Sequence, residues 1–435
     1  MKRNGRIGVH AVRRHPRAGR SAAGGAFRFL LYSHDTFGLG HLRRSLSIAW
    51  GLRAAFPRSS ILIVTGSSCT GFFPAPKRCD FLKLPAVTKD AAGQYVSREV
   101  RLPFSRLLEL RADVIDAAVR SFQPDLVLVD HAPLGMAGEV FPALCRARRL
   151  RPGTRIVLGL RDIYDDPALV RESWRNQGIY AVLEEIYHRI LVYGQPEIFD
   201  VVKEYALPPG SASKVVYTGY VHRADPPRLN GIHGAFPPRP PRGNCAGDRA
   251  GRPRVMVTVG GGQDGYRIVE AYLEGVISLG GHCPWNSEVV LGPFMKESRQ
   301  EAARSRAEAL AGVSVIGSTP RLRAHLAESD LVVTMGGYNT VLEALALGKP
   351  TVVVPRINPR REQFVRATRF AERGLIRSLD PRQLTPASLM AAVRQGLSRP
   401  PPALASRPEF SLCPARIGHA RFGPPARRRR HRSAH

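Results

Sequence analysis

The chain has 435 residues, 43% of them hydrophobic, and a formal net charge of +30. That suits two domains of ordinary size plus tails, and the longest apolar runs, such as Leu126 to Val129 and Thr351 to Val354, are strand-length, well short of the roughly 18 residues a bilayer span needs. The Arg-rich N-terminus has no apolar stretch behind it, and six single cysteines without a CxxC pair give neither a zinc nor a disulfide framework, so a cytoplasmic protein is expected.

The charge is unevenly spread. Residues 1–34 hold eight Lys and Arg and no acid, residues 222–254 seven Arg against two Asp, and residues 399–435 nine Arg against one Glu. These stretches carry 21 of the 30 net charges. Solvated tails and a linker are therefore expected, ahead of specific nucleic-acid binding.

In chain order, Phe27 to Tyr32 reads as a strand, followed by a loop to His41 and a helix through Leu42, Leu46, Ile48, Ala49 and Leu52. Ser60 to Thr65, Asp125 to Asp130, Thr154 to Leu160 and Arg189 to Tyr193 are further strands. Their continuous apolar runs mark a parallel sheet covered on both faces. From His222 to Pro253 the chain is rich in Pro, Gly and Arg and has no apolar period, so a linker is expected. A second set follows, with strands at Arg254 to Val259, Glu288 to Leu291, Leu331 to Thr334 and Pro350 to Val354. Helices are expected at Ile268 to Leu279, Gln300 to Leu310, Asn339 to Leu347 and Gln363 to Arg373. Residues 1–25 and 399–435 cannot bury a core. The expectation is α/β: two Rossmann-like domains, 26–221 and 254–398, joined by a linker at 222–253.

Three motifs punctuate this pattern. The first strand runs into SHDTFGLGHLRRS, where Gly38 and Gly40 permit a tight turn. The helix start beyond them offers free N–H groups to an anion, and His41 sits there as a proton acceptor or donor. The strand VMVTV runs into Gly260, Gly261, Gly262, Gln263, Asp264 and Gly265, bare backbone at the carboxyl end of a strand, where doubly wound sheets bind ligands. The third, DLVVTMGGYNTVLEALALGKPTVVVP, is strand, glycine turn, helix and strand. Gly336 and Gly337 clear the turn, and Asn339 and Thr340 open a helix whose N–H groups and hydroxyl suit phosphate oxygens. Glu343, one turn on, can accept hydrogen bonds from two ribose hydroxyls. Glu362 and Gln363, in PRINPRREQF after the next strand, offer polar groups suited to sugar hydroxyls. Helix-dipole stabilisation is the plainer role for these carboxylates.

The order GxGH, GGGQ and GGYNTVxE…P…EQ resembles glycosyltransferase family 28. It is similar in particular to a bacterial branch of predicted glycosyltransferases related to the enzyme that adds N-acetylglucosamine to the lipid-linked peptidoglycan precursor. The marks of that branch here are SHDTFGLGHLRRS, YTGYV and PRxxPRxEQ, and the resemblance covers about residues 27 to 396. It implies a GT-B fold, with two Rossmann-like domains facing a cleft, and a nucleotide-diphosphate sugar, UDP in the first instance, as donor. It also implies that Glu343 holds the ribose, Gly337 and Thr340 flank the diphosphate, and Glu362 and Gln363 read the sugar. Gly261, Gly262 and Gln263 match a donor loop, and Gly38, Gly40 and His41 a loop facing the acceptor. The departures are Glu362-Gln363 in place of a Gln pair and TFGLGH in place of GGTGGH. They weaken the case for N-acetylglucosamine as the donor sugar and leave the sugar open.

The expected reaction is an inverting hexosyl transfer without cofactor or metal, the leaving diphosphate being met by backbone N–H groups and helix ends. Asp165-Asp166 is the weak metal candidate. His41 is the first choice of general base, and Asp130 and His131, after the strand DLVLVD, are the second. The acceptor is open: a lipid-linked or polysaccharide acceptor, with peripheral contact at the inner membrane face, accords with the resemblance. The rivals are a UDP-sugar 2-epimerase of the same fold and a non-catalytic nucleic-acid-binding protein.

Overall fold

The computed structural model describes residues 26–34, 40–89, 94–221, 251–280, 283–319 and 321–398. The expected tails, nearly all of the expected linker and Gly38 lie outside the described residues.

The first half is built on strands β1 (Arg28–Ser33), β2 (Ser60–Thr65), β3 (Cys79–Lys83), β4 (Val87–Lys89), β5 (Tyr95–Ser97), β6 (Leu126–Asp130), β7 (Arg155–Arg161), β8 (Arg189–Tyr193) and β9 (Val215–Tyr217). Strands β4 and β5 pair as a separate antiparallel hairpin. The other seven form one parallel sheet in the order β3-β2-β1-β6-β7-β8-β9. Successive side chains of a strand point to opposite faces, and both faces of this sheet are covered. Leu31, Ile63 and Leu128 pack with Leu42, Leu46 and Ala49 of helix Gly40–Ala55. Leu30, Val64, Val127 and Val129 pack on the other face with Ile115 and Val119 of helix Phe104–Phe122 and Leu144 of helix Phe141–Leu150. Two-sided burial is the reason the central strands are apolar on both faces along their middle.

The second half holds β10 (Arg254–Thr258), β11 (Asn286–Val290), β12 (Val313–Ile316), β13 (Leu331–Thr334), β14 (Thr351–Val353) and β15 (Arg377–Ser378). They too are parallel, in the order β12-β11-β10-β13-β14-β15. Both sheets therefore reverse direction of winding next to their first strand, between β1 and β6 and between β10 and β13. Such a switch point opens a crevice at the carboxyl ends of the strands. Helix Pro386–Ser398, beyond the last expected helix, buries Leu389, Met390 and Val393 in the second core together with Val276 and Leu331. No described helix is long and apolar enough to cross a membrane.

The halves meet through helix Gly40–Ala55 and helix Tyr338–Ala346. Tyr338, Val341, Leu342 and Leu345 belong to the same apolar cluster as Leu42 and Leu46. The Tyr338 hydroxyl donates to Tyr193 O (2.9 Å) and accepts from Val221 N (3.1 Å). Arg366 grips Asp162 with two hydrogen bonds, 2.9 and 2.8 Å, both residues being buried.

Candidate active site

His41 and Arg44 are one helical turn apart at the start of helix Gly40–Ala55, and both reach the last residue of β6, Asp130. His41 Nδ1 lies 2.6 Å from Asp130 Oδ2. Arg44 donates from Nε to Oδ1 and from Nη2 to Oδ2, each at 2.8 Å. An ionised carboxylate only accepts, so Nδ1 carries the ring hydrogen and Nε2 is left bare. Burial works to raise the Asp130 pKa, but Arg44 and His41 outweigh it and hold the carboxyl below its ordinary range. Burial lowers the pKa of His41 and Asp130 only partly restores it. The result is a neutral imidazole with a free nitrogen, oriented by a permanently charged partner. Asp130 itself is a poor proton acceptor, being so acidic and already holding three contacts.

His131, the next residue, is also fixed. Its backbone is left-handed (φ 71°), a conformation that costs a non-glycine residue of order 1–3 kcal/mol. Its N–H donates to Gly159 O at 2.7 Å. The ring stacks on Tyr164, centroids 4.2 Å apart, and lies 3.0 Å from Arg161 Nη2 through Nε2. Burial and then Arg161 push its pKa well down. The ring of His34 completes a cluster, 5.6 Å from His41 and 6.1 Å from His131, and burial holds its pKa well down too. Of the three, His41 has the carboxylate partner.

Across the crevice, the loop after β10 turns back on the end of β11. At Gly262 (φ 88°) a Cβ would lie 2.3 Å from Leu291 O, so only glycine closes this loop. Gln263 is exposed at the rim. After β13, Gly336 (φ 87°) leaves no room for a Cβ beside Val353, while Gly337, at the cap of helix Tyr338–Ala346, faces open space. Thr340 is buried in the first turn of that helix. Asn339 Nδ2 donates to Gly40 O across the crevice at 3.1 Å, which ties the second glycine turn to the first. Glu343 is buried; its Oε1 is held by Arg43 of the opposite half, and its Oε2 has no hydrogen-bond partner. Glu362 is buried too, with Oε1 on Arg356 Nη2 (2.6 Å) and Oε2 unpartnered. Burial would raise the Glu362 pKa, but Arg356 dominates and holds it below the ordinary range. Arg356 also reaches Asp264 (2.9 Å), and Gln363 Oε1 accepts from Arg356 N (3.3 Å). The two loops thus form one polar rim.

The candidate residues accordingly come together in two groups: His41, Asp130, His131 and Gly40 on one wall, Gly261, Gly262, Gly336, Gly337, Asn339, Thr340, Glu343, Glu362 and Gln363 on the other. Asp165 and Asp166 have another task. Asp165 accepts from Arg361 N (2.8 Å), while Asp166 caps helix Pro167–Asn176 and accepts from Arg361 Nη1 (3.2 Å). They clasp the two halves together. The sequence reading missed the arginines Arg43, Arg44, Arg161, Arg356 and Arg366. The spacing of His41 and Arg44, three residues apart on one helix, was a signal, and so was Arg161 at a strand end.

A fold of two facing Rossmann-like sheets with a crevice at both switch points is GT-B. The calicheamicin glycosyltransferase CalG4 shares it, with a TM-score of 0.56 over 90% of this chain and 97% of that one, at 19% identity. Residues 256–411 match the glycosyltransferase family 28 C-terminal domain. Among curated relatives, an uncharacterized glycosyltransferase of Methanopyrus kandleri is 31% identical over 147 residues, 33% of this chain and 38% of that protein. The UDP-N-acetylglucosamine–N-acetylmuramyl-(pentapeptide) pyrophosphoryl-undecaprenol N-acetylglucosamine transferase of Halorhodospira halophila is 28% identical over 244 residues, 56% of this chain and 55% of that one. The chain spans about half the length of this last relative and less of the former.

Proposed function

We propose that the protein is a glycosyltransferase that moves a hexose from a UDP-sugar to an acceptor hydroxyl with inversion. The observation that carries this reading is the neutral, Asp130-oriented His41 facing, across the crevice, a glycine-cleared helix start followed by a buried carboxylate with a free oxygen. In the reaction, His41 Nε2 takes the acceptor hydroxyl proton as its oxygen bonds to the anomeric carbon. The bond from that carbon to the diphosphate oxygen breaks, and its electron pair leaves with UDP. Backbone N–H groups at Gly337 to Thr340 and at Gly261 and Gln263 stabilise the growing diphosphate charge without a metal. Glu343 receives the ribose hydroxyls, and Glu362 and Gln363 read the sugar. A lipid-linked or polysaccharide acceptor, met at the inner face of the cytoplasmic membrane, accords with the undecaprenol named for one relative.

The test is to incubate the full chain with a panel of UDP-, dTDP- and GDP-hexoses and to follow nucleotide release and binding. Binding of UDP above the other diphosphates, with acceptor-dependent release from one UDP-hexose, is the expected result. UDP released together with a free epimerised sugar, no acceptor being present, would move the protein to the epimerases. No binding of any nucleotide would end the reading.

A further inference from the structure

Glu343, the carboxylate assigned to the ribose, is already occupied from the opposite half. Its Oε1 accepts from Nη2 of Arg43, which stands on the facing helix Gly40–Ala55. The two helices meet at matching points. Asn339 donates to Gly40 O at 3.1 Å, and about one turn further along each helix Glu343 meets Arg43. The Glu343 side chain is 2% exposed and that of Arg43 17%. The Arg43 guanidinium also lies over the ring of the half-buried Phe73, 5.9 Å from its centroid, a contact within its own half. Oε2 of Glu343 is buried and has no hydrogen-bond partner.

The two hydroxyls of a ribose are neighbours on the ring, and a carboxylate grips both by giving one oxygen to each. With Oε1 on Arg43, Glu343 has one oxygen to give. A buried carboxylate without a partner is costly, so in the free protein Arg43 stabilises Glu343. Two ribose hydroxyls bring two donors in exchange for that one, which satisfies both oxygens. Arg43 is the more exposed partner, so it gives up the pair for water and Phe73 at small cost.

From this we propose that Arg43 is a built-in competitor of the nucleotide: its guanidinium holds the place of the ribose on Glu343 in the free protein, and UDP has to displace it. The proposal rests on the reading of Glu343 as the ribose ligand. Part of the binding energy of UDP then goes into breaking an ion pair between the halves. Its apparent affinity is reduced by the fraction of molecules in which Glu343 is free. After transfer, Arg43 closes on Glu343 again and helps UDP to leave. The sign of the effect is diagnostic. An arginine that attracts a diphosphate weakens binding when it is removed, whereas removal of a competitor strengthens it.

The experiment is calorimetric titration of UDP and of UMP into the full chain, for the parent, R43M, R43K, E343A and the double variant R43M/E343A, at fixed ionic strength. R43M should bind UDP about tenfold more tightly than the parent, the worth of one hydrogen bond to a charged group. UMP should gain by the same factor, because the competition is for the ribose. R43K, with a single ammonium in place of the fork, should fall between parent and R43M, and it keeps the answer available if R43M fails to fold. In the E343A background, R43M should change UDP affinity by less than about twofold, since the competed group is gone. Weaker binding in R43M, with a larger loss for UDP than for UMP, would make Arg43 a ligand of the diphosphate and overturn the proposal. Equal weakening of both nucleotides would make it a residue that positions Glu343, and unchanged affinity would make the pair purely structural; either result overturns the proposal. In these three cases the parent still binds UDP and the glycosyltransferase reading stands. Absence of UDP binding in both the parent and R43M would overturn that reading and the proposal together.

Discussion

Asp130→Asn separates the chemistry of the first wall from its stability. The carboxylate accepts from Arg44 twice and from His41 once, and both side chains of the ion pair are at most 3% exposed. Asparagine keeps the shape but has one accepting oxygen and an NH₂ group. If the oxygen faces Arg44, the NH₂ faces His41 Nδ1 and draws the ring into the tautomer whose Nε2 carries hydrogen, which cannot take a proton from the acceptor. Breaking a buried ion pair costs about 3–5 kcal/mol, and the retained oxygen places this case near the low end, about 3 kcal/mol. Loss of a correctly presented general base costs about 10²–10⁴-fold in rate. Asp130 also raises the His41 pKa against burial, so its removal moves the acidic limb of the pH–rate profile further down. Urea unfolding reads the first quantity and kcat/KM against pH the others. A variant that transfers sugar at the parent rate, with the same acidic limb, would show that His41 does not work through Asp130.

His41→Ala should leave UDP-sugar affinity nearly constant by calorimetry while transfer falls about 10²–10⁴-fold; transfer at the parent rate would remove His41 from the mechanism. Glu343→Ala should weaken UDP binding by about 1.5–3 kcal/mol, the worth of a hydrogen bond to a charged group; unchanged affinity would reassign Glu343 to Arg43 alone, its partner in this structure. Stability should fall on mild acidification. His34, His41 and His131 all have pKa values below the ordinary histidine value of about 6.5. Between that value and the folded pKa values the unfolded chain binds more protons, so stability is fully present above about pH 6.5 and declines below it. The urea midpoint should be lower at about pH 5.5 than at about pH 7.5, and equal midpoints would contradict the burial of these rings.

The central strands were legible because both their faces are buried, which leaves an unbroken apolar run. Ser60–Thr65, Arg189–Tyr193 and Leu331–Thr334 have the expected bounds, β6 and β10 differ by one residue at one end, and β1 and β7 are shifted by one residue at both ends. The edge strands were not legible. Cys79–Lys83 reads CDFLK and is at most half-buried, and Arg377–Ser378 has two residues. The glycine turns were legible because a positive φ or a close backbone approach selects one residue type, as at Gly262 and Gly336. The arginine partners were harder, since Arg43, Arg44, Arg161 and Arg366 acquire their meaning from contacts with residues distant in sequence. Helix Pro386–Ser398 lay beyond the last family motif, so its apolar face had nothing to draw attention to it.

What holds the walls opposite each other also follows from magnitudes. The interdomain pairs Arg369–Glu204 and Arg361–Asp166 are partly exposed, and such pairs contribute about 0–1 kcal/mol each. The buried pair Arg366–Asp162 regains in attraction roughly what it loses in desolvation. The net attraction therefore comes from apolar burial: Tyr338, Val341, Leu342 and Leu345 pack into one cluster with Leu42 and Leu46, and a fully buried side chain of this size contributes about 1.5–3 kcal/mol. Tyr338 joins both kinds of force, because the guanidinium groups of Arg44 and Arg366 lie over its ring, 5.7 and 5.4 Å from its centroid. Apolar contact brings the helices together without fixing how far one slides along the other. The directional bonds supply that: Asn339 to Gly40, Tyr338 to Tyr193 and Arg366 to Asp162 each require one register. The helix that begins with His41 is thereby held against the helix that carries Glu343, so the geometry of the proposed transfer is set by the same contacts that join the two halves.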